Sequence, residues 1–255
     1  MKKTKIEDRK KLSKSLHFSL MRVLFLVAHV DPTHKATAFR FADSAKAALE
    51  KAGHEVRYVN LVESGFDRTL TTKDFKKIPD GTFSIFAVTG QDNLVDEIKV
   101  QQENLKWATH VVIFAPMWYG RFPSCVYAYT ERVLNVPFAW DFEHMLDKGY
   151  LAGKKVTSVI STGGAPMFFD PKEGNGLDAY TWSALYAFNY SGFTILRSIG
   201  IHGANSPKRI AMQPELQQKL NEKLLNLDNW KVITDKKFVP LATLDQITEP
   251  ENLIQ

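Results

Sequence analysis

Three short stretches of this 255-residue chain hold the side chains that could do chemistry. The first, Pro116-Met117-Trp118-Tyr119-Gly120-Arg121-Phe122-Pro123, crowds three aromatic rings among a glycine and two prolines. Flat rings in such a turn offer faces for a planar ligand. The second, His29-Val30-Asp31-Pro32-Thr33-His34-Lys35-Ala36-Thr37, is a polar turn. With a helix opening behind it, exposed backbone N–H groups and the helix dipole make an anion site. Thr33 and Thr37 add hydroxyl donors there, and His29, His34 and Lys35 add positive charge. The third is Thr162-Gly163-Gly164, where two positions without side chains let backbone N–H groups approach a ligand closely. Each stretch also has a plain reading: a tryptophan-rich turn after a core strand, an ordinary helix cap, a tight turn. None is a Walker or dinucleotide motif, because the required glycines are missing.

The elements around these stretches decide whether they meet. Val111 to Ala115 is an unbroken apolar run, the pattern of a strand buried on both faces, and Pro116 ends its ladder by removing a donor. Arg22 to Ala28 reads as the first strand. A helix from about Ala36 to Ala52 follows, with Phe39, Ala42, Ala45, Leu49 and Ala52 on one stripe and Gly53 as its stop. Glu55 to Asn60 is the second strand. Residues 61–91, broken by Gly65, Pro79, Gly81 and Gly90, read as a surface excursion and a candidate dimer contact. Helices are expected over Asp92–Thr109, Ser124–Val136, Asp178–Tyr190 and Pro207–Leu227. The fourth strand lies in Lys154–Ser161 and the fifth in Thr194–Ile201. Phe138-Ala139-Trp140-Asp141-Phe142 is a second aromatic cluster, and 165–177 a glycine- and proline-rich loop.

Strands alternating with helices predict an α/β fold: a doubly wound, five-stranded parallel sheet in three layers, of order 2-1-3-4-5. The crevice at its switch point lies between strands one and three. Loops 29–37, 116–123 and 161–176 then share one rim. Together they point to a phosphorylated, flat aromatic cofactor. Flavin fits better than nicotinamide alone, since the aromatics supply faces and the glycine turn supplies donors to a polar ring edge.

The formal charge of +5 is concentrated at one end. Residues 1–20 carry seven basic and two acidic side chains, which leaves 26 of each sign in 21–255. The first segment reads as a basic, mobile arm, and 21–255 as a single domain, with Met21 as an alternative translation start. A neutral body offers no nucleic-acid footprint. No run approaches the roughly 18 apolar residues of a membrane span. The lone Cys125 excludes an internal disulfide and a multi-cysteine metal site, so no metal is expected and a reducing, cytoplasmic setting is.

Read together, V-L-F-L-V-A-H at Val23–His29, P-M-W-Y-G-R-F-P at Pro116–Pro123 and E-R-V-L at Glu131–Leu134 carry a resemblance. F-A-W-D-F-E-H-M-L-D-K-G at Phe138–Gly149, S-T-G-G at Ser161–Gly164 and S-G-F at Ser191–Phe193 continue it. The chain resembles the NAD(P)H:quinone dehydrogenases of the DT-diaphorase type, flavodoxin-like flavoproteins, over about residues 22–225. The resemblance implies a homodimer holding FAD, with FMN as the alternative, and NAD(P)H as co-substrate. Hydride would pass through flavin N5 to a quinone or similar acceptor. It assigns His29, Thr33, Lys35, Ala36 and Thr37 to the cofactor's phosphates. Pro116, Met117, Trp118, Tyr119 and Gly120, with Thr162, Gly163 and Gly164, fall on the ring-contacting segments. Trp140 and Phe142 match two aromatics that cap the acceptor pocket from the neighbouring subunit.

Two departures stand out. Where the family commonly has a tyrosine and a histidine that stabilise reduced flavin, counting from Gly164 gives Phe169 and Asn175. Phe169 donates no hydrogen bond, and Asn175 has no titratable proton. The phosphate loop has Lys35-Ala36 in place of an aromatic and an amide. The reading is therefore a cytoplasmic, flavin-dependent NAD(P)H:quinone oxidoreductase. Its rivals are a flavin or azo-dye reductase of the same fold and a flavin-binding regulatory subunit of a membrane transporter, which the basic arm would favour.

Overall fold

Strand β3, His110–Pro116, is the centre of a parallel sheet in a computed structural model that describes residues 20–78, 84–172 and 176–234. All seven of its residues are buried. It pairs with β1, Arg22–Val27, on one side and with β4, Lys155–Thr162, on the other. Beyond β1 lies β2, Glu55–Asn60, and the order is 2-1-3-4-5 as expected. Period-two alternation divides these apolar strands between two helical layers. Leu24, Leu26, Val111, Ile113 and Val156 face one layer, and Val23, Phe25, Val27, Val112, Phe114 and Val159 the other.

Helix α1, Thr37–Lys51, buries Phe39, Ala42, Ala45 and Leu49 against the second set, while Ala52, expected on that stripe, is exposed beyond its end. The first set is covered by α2, Asp96–Trp107, α3, Ser124–Val133, and α4, Leu177–Tyr190. Helix α2 starts later than Asp92, because Asp92 and Asn93 form a separate tight turn and Val95 stays extended. Helix α3 ends before Val136.

The fifth strand is interrupted. It splits into β5, Thr194–Ile195, and β6, Ile199–His202, both pairing with β4. Between them the backbone leaves the ladder for other partners. The Arg197 carbonyl accepts from Thr157 Oγ1 at 2.9 Å and from Trp230 Nε1 at 2.7 Å, and the Ser198 N–H donates to Asp178 Oδ1 at 2.8 Å. The expected last helix is also two: α5, Pro207–Ala211, and α6, Gln213–Leu224. Pro214 causes the break, since it lacks an N–H and its ring clashes with the carbonyl four residues back.

The 61–78 excursion is tied down by a buried ion network around Arg132 and Asp74. Among the described residues no helix is long and apolar enough to cross a membrane. The arm at 1–19 and residue Asn175 lie outside the described residues.

Candidate cofactor site

Strand β1 ends at the point where the strand order reverses, and the crevice there lies outside the carboxyl ends of β1 and β3. It holds a cavity of about 260 Å³ lined by His29, Ala36 and Thr37 from the first loop, Pro116, Met117 and Trp118 from the second, and Thr162 and Gly163 from the third. The three stretches do meet. Ser161, Arg40, Ala204 and Asn205 complete the wall, and the last three were not legible in the sequence.

The first loop is built around Asp31. Its Oδ1 accepts from the Thr33 N–H at 2.9 Å and the Thr33 hydroxyl at 2.7 Å. Its Oδ2 accepts from the N–H groups of Lys35 at 2.9 Å and Ala36 at 2.8 Å. The Thr33 hydroxyl, then the loop amides, hold this carboxyl down at about 2. Thr33 and Lys35 therefore serve a built-in carboxylate and do not border the cavity. The anion donors left are the first-turn amides of α1, which have no side-chain cap, the Thr37 hydroxyl, and the Arg40 guanidinium. Arg40 has no ion pair among the described residues, a signal that only a three-dimensional view supplies.

His29 was expected to carry positive charge. Instead burial lowers its pKa, against a smaller opposing effect of Asp31. Its Nδ1 accepts the Asp31 N–H at 3.0 Å, so the neutral ring carries its proton on Nε2. His34 turns away from the cavity to Glu63, Nε2 to Oε1 2.6 Å, and stacks on Phe39.

The aromatic stretch is a two-residue hairpin. Trp118 and Arg121 exchange both backbone hydrogen bonds, at 3.0 and 3.1 Å, around Tyr119 and Gly120. Both turn residues have positive φ, 52° and 72°, the conformation that favours glycine at the second. Trp118 is thereby set against His29, ring centroids 5.6 Å apart, while Tyr119 projects fully into solvent. Phe122, expected on the same platform, is buried in the core at 2% exposure. Tyr119 and Gly120 stand outside the cavity.

In the third stretch, parallel pairing fixes the direction of the amides. The Ser161 carbonyl accepts the Met117 N–H at 2.8 Å on the β3 side. The Thr162 carbonyl accepts the Ala204 N–H at 2.9 Å on the β6 side. A trans peptide points its N–H opposite to its C=O, so the Gly163 N–H is aimed toward Met117 and the cavity. Gly164 lies behind, with Phe169 packed where its Cβ would be, 3.2 Å away. Phe169 is partly buried and does not line the cavity.

Trp140 and Phe142 are elsewhere. With Phe86 and Tyr190 they form an aromatic cluster with centroid distances of 4.8 to 6.1 Å, in which Phe86 and Phe142 are each about half exposed. The Trp140 Nε1 donates to the Leu134 carbonyl at 3.0 Å.

A parallel sheet of this order, with a crevice at its switch point, defines an α/β protein of the flavodoxin type. The chain belongs to the flavodoxin-like fold family, whose profile matches residues 21–224. The NAD(P)H dehydrogenase [quinone] 1 of Cavia porcellus is 27% identical over 190 residues, covering 70% of this chain and 67% of that protein. The ribosyldihydronicotinamide dehydrogenase [quinone] of Mus musculus is 25% identical over 210 residues, covering 78% and 90%. Among solved structures, a Klebsiella pneumoniae protein provisionally assigned as a quinone reductase superposes with TM-score 0.72 at 22% identity, over 85% of this chain and 88% of that one.

Proposed function

We propose that the chain is a flavin-dependent NAD(P)H:quinone oxidoreductase. One observation carries this reading. A single cavity at the switch point joins an anion end, made of Arg40, Thr37 and the α1 amides, to a ring end made of Trp118, Met117 and Gly163. The donor chemistry fits a flavin nucleotide, and the named relatives, quinone dehydrogenases, support the acceptor class. Bound flavin would supply hydride chemistry, taking a hydride from nicotinamide and giving it to a two-electron acceptor. The chain's part is positional. Arg40 and Thr37 neutralise and orient phosphate, His29 donates from Nε2, Trp118 offers a face, and Gly163 donates to a polar ring edge.

FAD is the form proposed, with FMN as the alternative; Arg40 and Asn205 add polar groups to the cavity wall beside the α1 amides. The purified protein is expected to be yellow, to release flavin on denaturation, and to turn over a quinone with NAD(P)H. The mass of the released cofactor decides between FAD and FMN. A colourless protein that binds neither would overturn the reading. Robust turnover of an azo dye with none of a quinone would move it to azo reduction. Binding without turnover would favour a regulatory subunit.

A homodimer belongs to the same proposal. At about 260 Å³ the cavity is smaller than most ligand pockets, which leaves part of a flavin uncovered. The Phe86–Trp140–Phe142–Tyr190 cluster is an apolar surface of the kind that a second copy buries. Light scattering at micromolar concentration is expected to give twice the chain mass, and Phe142→Asp to shift it toward the monomer. An active, strict monomer would remove the dimer from the proposal. The neutral body and the lone, buried Cys125 support a cytoplasmic protein without a nucleic-acid partner.

A further inference from the structure

We infer that His202 is a positioning residue for the cofactor ring, holding the Thr162-Gly163-Gly164 turn from behind and carrying a titratable ring there. The inference rests on the flavin reading above.

His202 ends β6, on the far side of the turn from the cavity. Its Nδ1 lies 3.2 Å from Thr162 Oγ1, and that hydroxyl donates to the Gly164 carbonyl at 3.2 Å. With the hydroxyl proton committed to Gly164, the oxygen can only accept from His202, so Nδ1 carries the imidazole proton. The two residues after His202 hold the same turn through their backbones. The Gly203 N–H donates to the Gly164 carbonyl at 3.0 Å, and the Ala204 N–H to the Thr162 carbonyl at 2.9 Å. These bonds draw the turn's carbonyls toward β6 and leave the Gly163 N–H facing the cavity.

The imidazole is locked in place. One side stacks on Phe169, with centroids 4.9 Å apart and planes 18° from parallel. On Gly200 a Cβ would fall 2.3 Å from Nε2, so any side chain there would displace the ring from this position. The sequence hides all of this: Phe169 reads as a lost proton donor, whereas it is the face against which a histidine from another strand is stacked.

Among the described residues, those that share a cavity with His202 include cations and no carboxylate. Arg209 from α5, with Lys219 and Lys223 from α6, lines a cavity of about 230 Å³ that His202 also borders. Lys219 is paired with Glu215 on the solvent side of α6. From β4 the group is Thr162, and from the 165–170 turn Pro166 and Phe169, all uncharged. Burial, then Arg209, lowers the His202 pKa, so the ring is neutral at pH 7. A hydride brings two electrons and one hydrogen nucleus to the flavin ring and leaves it with one negative charge, while the nicotinamide leaves with a positive one. That added negative charge, across the Thr162-Gly163-Gly164 turn from His202, would favour uptake of one proton from water at Nε2.

The test is a redox titration of the flavin-loaded protein from pH 5.5 to 8.5, followed by absorbance, with flavin affinity measured alongside. Wild type is expected to take up one more proton per two electrons on the acid side of the range than on the alkaline side. His202→Asn places an amide N–H where Nδ1 donates to Thr162 without titrating, so it is expected to retain flavin and lose that extra proton. His202→Phe removes the donor as well and is expected to weaken flavin binding by about tenfold, the size of one hydrogen bond. Equal proton counts in wild type and His202→Asn would overturn the inference alone. A protein that takes up no flavin would overturn the flavin reading and this inference with it.

Discussion

Arg132→Ala is expected to destabilise the fold by about 3–5 kcal/mol, the usual consequence of removing one partner from a buried ion pair. Arg132 lies on α3 with no solvent exposure, and Asp74, the acid it meets from the 72–74 turn, has none either. Its Nε donates to Asp74 Oδ1 at 2.9 Å, its Nη1 to the Gly65 carbonyl at 2.6 Å, and its Nη2 to Glu97, while the guanidinium lies over the Phe66 ring. Burial alone would push the Asp74 carboxyl up. Hydrogen bonds from Arg68, the Thr71 N–H and Arg132 outweigh it and hold Asp74 below the usual carboxylate range. Alanine at 132 would leave this carboxylate buried with one fewer cation and Gly65 with an unmet carbonyl. Total stability is of the order of 5–15 kcal/mol, so the loss is a large share. Urea unfolding of Arg132→Ala, Asp74→Ala and the double variant checks it. The double is expected to lose at least about 1 kcal/mol less than the two singles added, because each single strands the other's charge. Strict additivity would mean that the pair does not hold the excursion.

That network also marks the limit of sequence reading here. Arg132 sits inside the E-R-V-L motif, yet nothing local says that it is buried, since its acids stand 58 and 35 residues away. Segment 61–78 looked unpatterned because polar groups fasten it, and polar contacts have no period. Strands β1 to β4 were legible for the opposite reason: burial on both faces leaves unbroken apolar runs in the chain. The interruption between β5 and β6 was not, because Arg197 and Ser198 answer to Trp230 and Asp178. The break at Pro214 is marked in the sequence by the proline itself. At the site, the three loops and their meeting point were readable from residue types and topology. Asp31's hold on the loop amides, Arg40 one turn into α1, and His202 on the edge strand came only with coordinates. Each acts through a direction in space that spacing along the chain does not record.

Stability is expected to fall as the pH drops from about 6.5 toward 4, above the range where carboxylates usually begin to matter. His110, the first residue of β3, is almost fully buried, with Nδ1 3.0 Å from Thr109 Oγ1 and Nε2 3.3 Å from Asp228 Oδ1. Burial is the largest influence and lowers its pKa. Asp228 opposes it, Lys155 adds to it, and the result is about 4. The unfolded chain, with an ordinary imidazole near 6.5, therefore binds the proton first as pH falls. Protonation pulls toward the unfolded state, so His110's contribution is complete above about 6.5 and gone by about 4. The gap between 6.5 and about 4 corresponds to at most about 3.4 kcal/mol. His29, His54 and His202 are shifted in the same direction by burial and steepen the upper part of the same window. Asp228, held down first by its hydrogen bond from Lys155, weakens the fold only when the pH falls further. Urea unfolding at pH 7.5, 6, 5 and 4 on wild type and His110→Gln separates these effects. The variant is expected to start less stable at pH 7.5 and to lose about 2–3 kcal/mol less than wild type on the way to pH 4. Parallel losses in the two proteins would mean that His110 is already protonated in the folded state, and that Asp228 governs this end of β3 where burial was expected to.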